Sequence, residues 1–341
     1  MLTYQLLPDD IATIDELTEQ LLRRYDSVES PEFQREARIY SEELPRPLRR
    51  TLHEFRSSES TGTLVIKGLP VEDAALGATP TERTGKTTPS ASLRQDIAFY
   101  LAAGLLGEPI GWATQQDGRI MHDVYPIAAH ESEQIGWGSA ETLAWHTEDA
   151  FHLLRTDYVA LMCLRNPDEV ETTVADVADI EIDDETREML SQPRFRILPD
   201  ASHRLRGEED EDGHPRVSEL RRRSLEHVER SLESPEPTAV LFGDPDDPYV
   251  VIDPHYMQGV QGEDEQRVLD VICRALDSAM TGVTLTPGDI CFLDNYRVVH
   301  GRKPFRARFD GTDRWLRRLN VARDLRKSRA SRLSATSRVI Y

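Results

Sequence analysis

Thr142-Leu143-Ala144-Trp145-His146-Thr147-Glu148 reads as a short strand whose last three residues carry a histidine and an acid two positions apart. On an extended strand, residues i and i+2 point to the same face. An imidazole and a carboxylate can therefore approach one ion from one strand. Outward from this stretch, short apolar runs with turn signals recur. They predict strands at Ile110–Gln115, Ile120–Ile127, Asp157–Leu164, Phe195–Leu198, Tyr249–Ile252, Val283–Leu285, Asp289–Leu293 and Leu316–Val321. Strands of this length and number predict a mainly β sandwich or barrel.

Helical patterns flank the strands. Ile11, Ile14, Leu17, Leu21 and Leu22 form one apolar stripe over residues 9–26, with Asp9 or Asp10 as its cap. A second helical stretch covers 31–57, broken near Pro45 and Pro47. Leu93 to Leu106 predicts a helix stopped by Gly107, and Asp264–Met280 another. Residues 73–90 read as a loop. Glu208-Glu209-Asp210-Glu211-Asp212-Gly213, followed by Arg221-Arg222-Arg223, marks a surface insertion over 201–238 and a candidate lid. We find no repeats and no clean boundary. The expectation is one domain over 1–341, with a helical N-terminal part (1–60) and a β core (61–341).

His300 supplies the third candidate donor. It closes Val298-Val299-His300, just after the strand predicted at Asp289–Leu293, where it could face Glu148. Two histidines and one carboxylate on one face, with the other face open, is the donor pattern of non-haem ferrous oxygenases. Arg314, on the strand that follows, could pair bidentately with the far carboxylate of a dicarboxylic co-substrate. His-X-Glu alone is common by chance. The strand order and the arginine are what give it weight.

Composition narrows the remaining classes. The chain has 341 residues and a net charge of −20, which disfavours nucleic acid and anionic membrane surfaces as partners. No apolar run reaches the ~18 residues of a membrane span, and the N-terminus lacks the features of a signal peptide. Cys163, Cys273 and Cys291 each sit in an apolar run, which predicts free thiols and a cytoplasmic location.

Several segments together resemble the Fe(II)/2-oxoglutarate-dependent oxygenases of the clavaminate synthase-like branch. They are Thr114-Gln115-Gln116, Gly136 through His152 with its His146-Thr147-Glu148-Asp149 core, Asp157 through Pro167, Asp253-Pro254, and Gly288 through Asn295, His300-Gly301-Arg302 and Arg314 to Asn320. The likeness covers about 60–325. Within that branch it is similar to enzymes that hydroxylate free amino acids at C3, such as the arginine hydroxylases of viomycin and related pathways and an asparagine oxygenase.

The resemblance implies a double-stranded β-helix (jelly-roll) core. By it, His146, Glu148 and His300 bind Fe(II), and Arg314 holds the C5 carboxylate of 2-oxoglutarate, with O2 as the other co-substrate. Arg318 meets the α-carboxylate of an amino-acid substrate, and Glu148 also accepts from its α-amino group. Gln115, beside Gln116, contacts the amine or backbone of that substrate. Ser139, in a Gly-Trp-Gly-Ser loop, touches substrate or forms a turn. Asp253 recognises a cationic side chain or caps the Pro254 turn. The arginine hydroxylases carry two acids in this region, whereas Val251 and His255 lie two positions from Asp253 here.

The implied reaction is hydroxylation of a free L-amino acid, arginine or a relative, at C3 in peptide-antibiotic metabolism. Desaturation and C4 hydroxylation of another polar amino acid need the same cofactors and stay open. A Zn metallohydrolase and a non-catalytic binding barrel are the rivals from other classes. The sequence leaves the oligomeric state open.

Overall fold

The computed structural model describes residues 1–82, 89–200, 203 and 215–341. Its framework is two facing β-sheets with helices on their outer sides. The larger sheet runs β1 (Leu2–Gln5), β2 (Thr63–Lys67), β11 (Ile290–Asp294), β6 (Tyr158–Arg165), β13 (Trp315–Ala322), β3 (Glu108–Trp112) and β14 (Val339–Ile340), with β4 (His122–Val124) also paired to β13. The smaller sheet runs β10 (Thr281–Thr284), β7 (Glu171–Asp176), β12 (Val298–Arg302) and β5 (Leu143–His146). A hairpin, β8 (Leu241–Gly243) with β9 (Pro248–Val250), stands apart. No closed barrel forms among the described residues.

The pleat explains the layering. Val65, Leu161, Cys291 and Leu316 of the large sheet meet Val174, Val283 and Val298 of the small one. Alternate residues Leu64, Ala160, Met162, Phe292 and Leu319 face the other way, onto helices. Those helices are α1 (Pro8–Leu22), α2 (Pro31–Ser41), α3 (Arg46–Ser58) and, after the one-turn α4 (Asp73–Leu76), α5 (Leu93–Gly104). Their apolar stripes, including Leu17, Leu21, Leu52, Phe55, Ile97 and Leu101, fill that layer. Burying a side chain such as Phe292 or Leu319 contributes roughly 1.5–3 kcal/mol. Behind the small sheet, Ala175 and Val299 pack on Leu190 of α6 (Asp184–Leu190) and on Val268, Ile272 and Leu276 of α8 (Glu263–Ala279). A further described helix, α7 (Pro215–Glu233), falls within the 201–238 stretch.

Several boundaries differ from expectation. Phe195–Leu198 is not a strand, because Phe195 makes only an isolated bridge to Thr238. The strand expected at Thr142–Glu148 stops at His146, so Glu148 lies beyond it. The first 60 residues are not purely helical, since Leu2–Gln5 pairs in parallel with β2. The first helix starts at Pro8, and Asp10 caps from inside it, accepting the Leu7 N–H at 3.0 Å. The loop predicted over 73–90 contains α4, and its residues 83–88 lie outside the described residues. The acidic block 208–213 of the expected lid also lies outside them. No described helix is long and apolar enough to cross a membrane. All three cysteines are free, Cys163 and Cys291 fully buried.

Candidate active site

The small sheet brings the two histidines together. β12 pairs antiparallel with β5 so that His300 lies directly opposite His146. Their rings stand 4.8 Å apart, centroid to centroid. Gly301 permits this approach, because a Cβ there would sit 2.6 Å from the Leu143 carbonyl oxygen. Glu148 reaches the same point from just past the end of β5. Its Oε2 lies 3.7 Å from His146 Nε2 and 3.5 Å from His300 Nε2. Cis donors on a metal bound at about 2.1 Å sit ~3 Å apart, so small side-chain movements bring these atoms onto one ion.

The surroundings suit a divalent cation. The His146 Nδ1–H donates to the Ala144 carbonyl at 2.8 Å, which leaves the Nε2 lone pair facing inward. Burial opposes charge on His146, but the Glu148 and Asp253 carboxylates outweigh it and raise the imidazole to about 9. The same two carboxylates would favour a metal cation there. Burial likewise opposes charge on Glu148, yet the Arg318 guanidinium and the two histidines hold its carboxyl well below the usual range. His300 is lowered, by burial first. Arg318 takes the other oxygen of the acid, Nη1 to Oε1 at 2.7 Å, so Glu148 offers only Oε2 to the histidines.

Arg314, expected to hold a carboxylate, lies in the same cleft. It is buried in the cleft wall, with one weak bond, Nη2 to Thr172 Oγ1 at 3.4 Å, and no partner for Nε. Burial pushes its guanidinium down to about 10. Arg302, two residues after His300, lines the same cleft. Burial and the charge of Arg314 push it down to about 10 as well. Its head donates to backbone carbonyls of Gly138 and Glu141. Two buried cations without a carboxylate partner among the described residues make this end of the cleft a receptor for an anion.

Arg318, expected on the α-carboxylate of a substrate, also lines the cleft. Besides Glu148, its Nη2 donates to Gln115 Oε1 at 3.2 Å and to His122 Nδ1 at 2.8 Å. Its ion pair is with the buried Glu148, inside the cleft. Arg317 is buried on the opposite face of the sheet, bound to Asp96, Asp123, Ser90 and Ser92. Asp253 lines the cleft and also caps its turn, its Oδ1 accepting the Tyr256 N–H at 3.1 Å. Burial raises its carboxyl, partly offset by His146.

Gln115 is buried in the wall, past the end of β3, and reaches Asp149 Oδ1 at 3.3 Å. Gln116 lines the same cleft, with its amide on the backbone of Asp123. Of the two readings of Ser139, the structure shows the turn and not the substrate contact. It does not line the cleft, its hydroxyl is sealed without a partner, and its backbone joins Glu131 and Phe305 in a turn.

Sequence reasoning missed a second acidic group. Asp149, at φ 51, accepts from Trp112 Nε1 at 2.6 Å and from His203 Nε2 at 2.9 Å. Asp149 and Asp200 line the cleft with Asp253, which adds negative charge around the histidine end. Position could have found Asp149 and Arg302, one beside Glu148 and the other two residues beyond His300 on its strand face.

Comparison with known proteins agrees with this geometry. Residues 31–320 match the family described as "Taurine catabolism dioxygenase TauD, TfdA family". The chain is 70% identical over the full length of both proteins to "Enduracididine beta-hydroxylase" of Streptomyces hygroscopicus. It is 43% identical to "L-ornithine/L-arginine 3-hydroxylase" of Catenulispora acidiphila, across 98% of each chain. Among solved structures it is similar to the non-heme iron oxygenase OrfP in complex with Fe, succinate and (3S)-hydroxy-L-Arg. That likeness has TM-score 0.91 and 36% identity, and covers 100% of both chains.

Proposed function

This chain belongs to the TauD/TfdA dioxygenase family, and from that premise we propose that it hydroxylates a free L-amino acid bearing a guanidino group at C3. It is an Fe(II)- and 2-oxoglutarate-dependent dioxygenase. Enduracididine and arginine are the first candidate substrates, from the relatives that act on them, in specialised peptide-antibiotic metabolism. The observation that carries the reading is the convergence of His146, Glu148 and His300 on one point, in a cleft that also holds the uncompensated Arg314. We read the two facing sheets as the double-stranded β-helix of this family, the whole chain as one functional unit, and its location as cytoplasmic.

His146, Glu148 and His300 would hold the iron. When bound, iron and 2-oxoglutarate supply an oxidant that consumes O2, releases succinate and carbon dioxide, and replaces a C–H hydrogen with hydroxyl. Arg314 pairs with the far carboxylate of 2-oxoglutarate, with Arg302 adding to the field. Arg318 turns from Glu148 Oε1 to the α-carboxylate of the substrate, and the freed oxygen accepts from its α-amino group, beside Gln115. Asp253, with Asp149 and Asp200 near it, receives the guanidinium. These contacts set which C–H faces the iron.

The test is incubation of the protein with Fe(II), ascorbate, 2-oxoglutarate and O2 against enduracididine, arginine, ornithine, lysine and asparagine. The expected product gains one oxygen at C3 on the guanidino substrates, with one succinate per turnover. Turnover that ignores 2-oxoglutarate, or that occurs only on carrier-bound compounds, overturns the proposal.

A further inference from the structure

The acid of the triad has no strand to hold it. The β5 ladder ends at His146, and Thr147 N–H goes to the Ile252 carbonyl at 2.9 Å. Glu148 is buried, so its own peptide groups need partners. Both partners come from a single side chain. Glu148 N–H donates to Asn295 Oδ1 at 2.8 Å, and Asn295 Nδ2 donates back to the Glu148 carbonyl at 3.0 Å. The second hydrogen of that amide goes to the Thr156 carbonyl at 2.9 Å. Asn295 thus imitates one residue of a neighbouring strand. It holds both peptide groups of Glu148, two positions past the end of the His146 strand, where no backbone among the described residues does so.

Placement gives this clamp its consequence. Asn295 sits in the turn between β11 and β12, five residues before His300, and its own N–H is anchored on the Asp157 carbonyl at 3.0 Å. The element that delivers one histidine therefore also fixes the acid. An amide is the side-chain group with both an acceptor and two donors in this reach, so Asp or Leu cannot replace it.

We propose that Asn295 is a positioning residue that sets the place of Glu148 relative to His146 and His300, and so tunes metal affinity without touching the metal. The proposal rests on the metal reading above. Its test is anaerobic equilibrium dialysis of Fe(II) against wild type, Asn295→Asp, Asn295→Ala and His300→Ala, with thermal unfolding of each. Asn295→Asp keeps the size and the Glu148 N–H bond but turns both donors into acceptors against two carbonyls.

The expected result is one Fe(II) per wild-type chain, none in His300→Ala, and a Kd weakened about 10- to 100-fold in both Asn295 variants while they stay folded. Folded Asn295 variants that hold Fe(II) as tightly as wild type overturn the proposal and leave the metal reading standing. A wild type that binds no Fe(II) overturns the metal reading itself. Failure of both variants to fold also overturns the proposal, because Asn295 is then a determinant of the fold.

Discussion

The two faces of β13, continued back by one residue to Arg314, carry buried arginines in opposite states. On the helix side, Arg317 meets two carboxylates and two hydroxyls. Burial alone would lower it, but Asp96 and Asp123 more than compensate and raise it above its usual value. On the cleft side, Arg314 has one long bond to a threonine and is pushed down to about 10 by burial. Burial is similar at the two sites, and partners are what differ. A buried cation with its counter-charges built in serves the fold. One without them is held ready for an anion that arrives with the reaction.

That contrast breaks most visibly in stability. Arg317→Met leaves Asp96 buried without a cation, while Asp123 keeps Arg119 and Trp315, and should cost about 3–5 kcal/mol, a Tm loss of about 4–7 °C. Arg314→Met removes a charge the fold does not compensate. Its Tm should hold or rise, while KM for 2-oxoglutarate climbs about 100-fold, close to 2.7 kcal/mol. Equal Tm losses in the two variants would erase the distinction between the faces.

A pH series sharpens the comparison by a smaller amount. Burial raises the Asp96 carboxyl, although Arg317 works against it. The folded state thus holds that proton more tightly than the unfolded chain. Stability is full below the unfolded carboxylate value and falls as pH rises toward the folded one. Asp96→Asn removes this fall and gives up one Arg317 bond at every pH. The Tm difference between variant and wild type should therefore grow in favour of the variant as pH rises above the ordinary carboxylate range. A difference that stays flat would mean Asp96 is ionised at no cost.

The same contrast explains what was legible in the sequence. His146, Glu148 and His300 could be read because metal chemistry depends on residue type and spacing, and Arg314 because its family positions it. The strands β6, β11 and β13 followed from apolar runs. Strand β7 was not read, because its alternating Thr and Val gain meaning only from β10 and β12, more than a hundred residues away. β1 is four residues long and is defined by its partner β2. The i, i+2 argument put His146 and Glu148 side by side, as the structure does, for an incomplete reason, since Glu148 is off the strand and its peptide bonds to Asn295. Which arginine of Arg317 and Arg318 meets a carboxylate on each face is likewise a fact of three dimensions.

The account turns on one ion at one place. Crystals of the protein grown anaerobically with Fe(II) and 2-oxoglutarate, measured across the iron absorption edge, locate it directly. The account predicts one anomalous peak about 2 Å from His146 Nε2, His300 Nε2 and Glu148 Oε2. A peak at the Asp149–Asp200–His203 cluster instead, or no peak at the triad with iron present in the crystal, would contradict it.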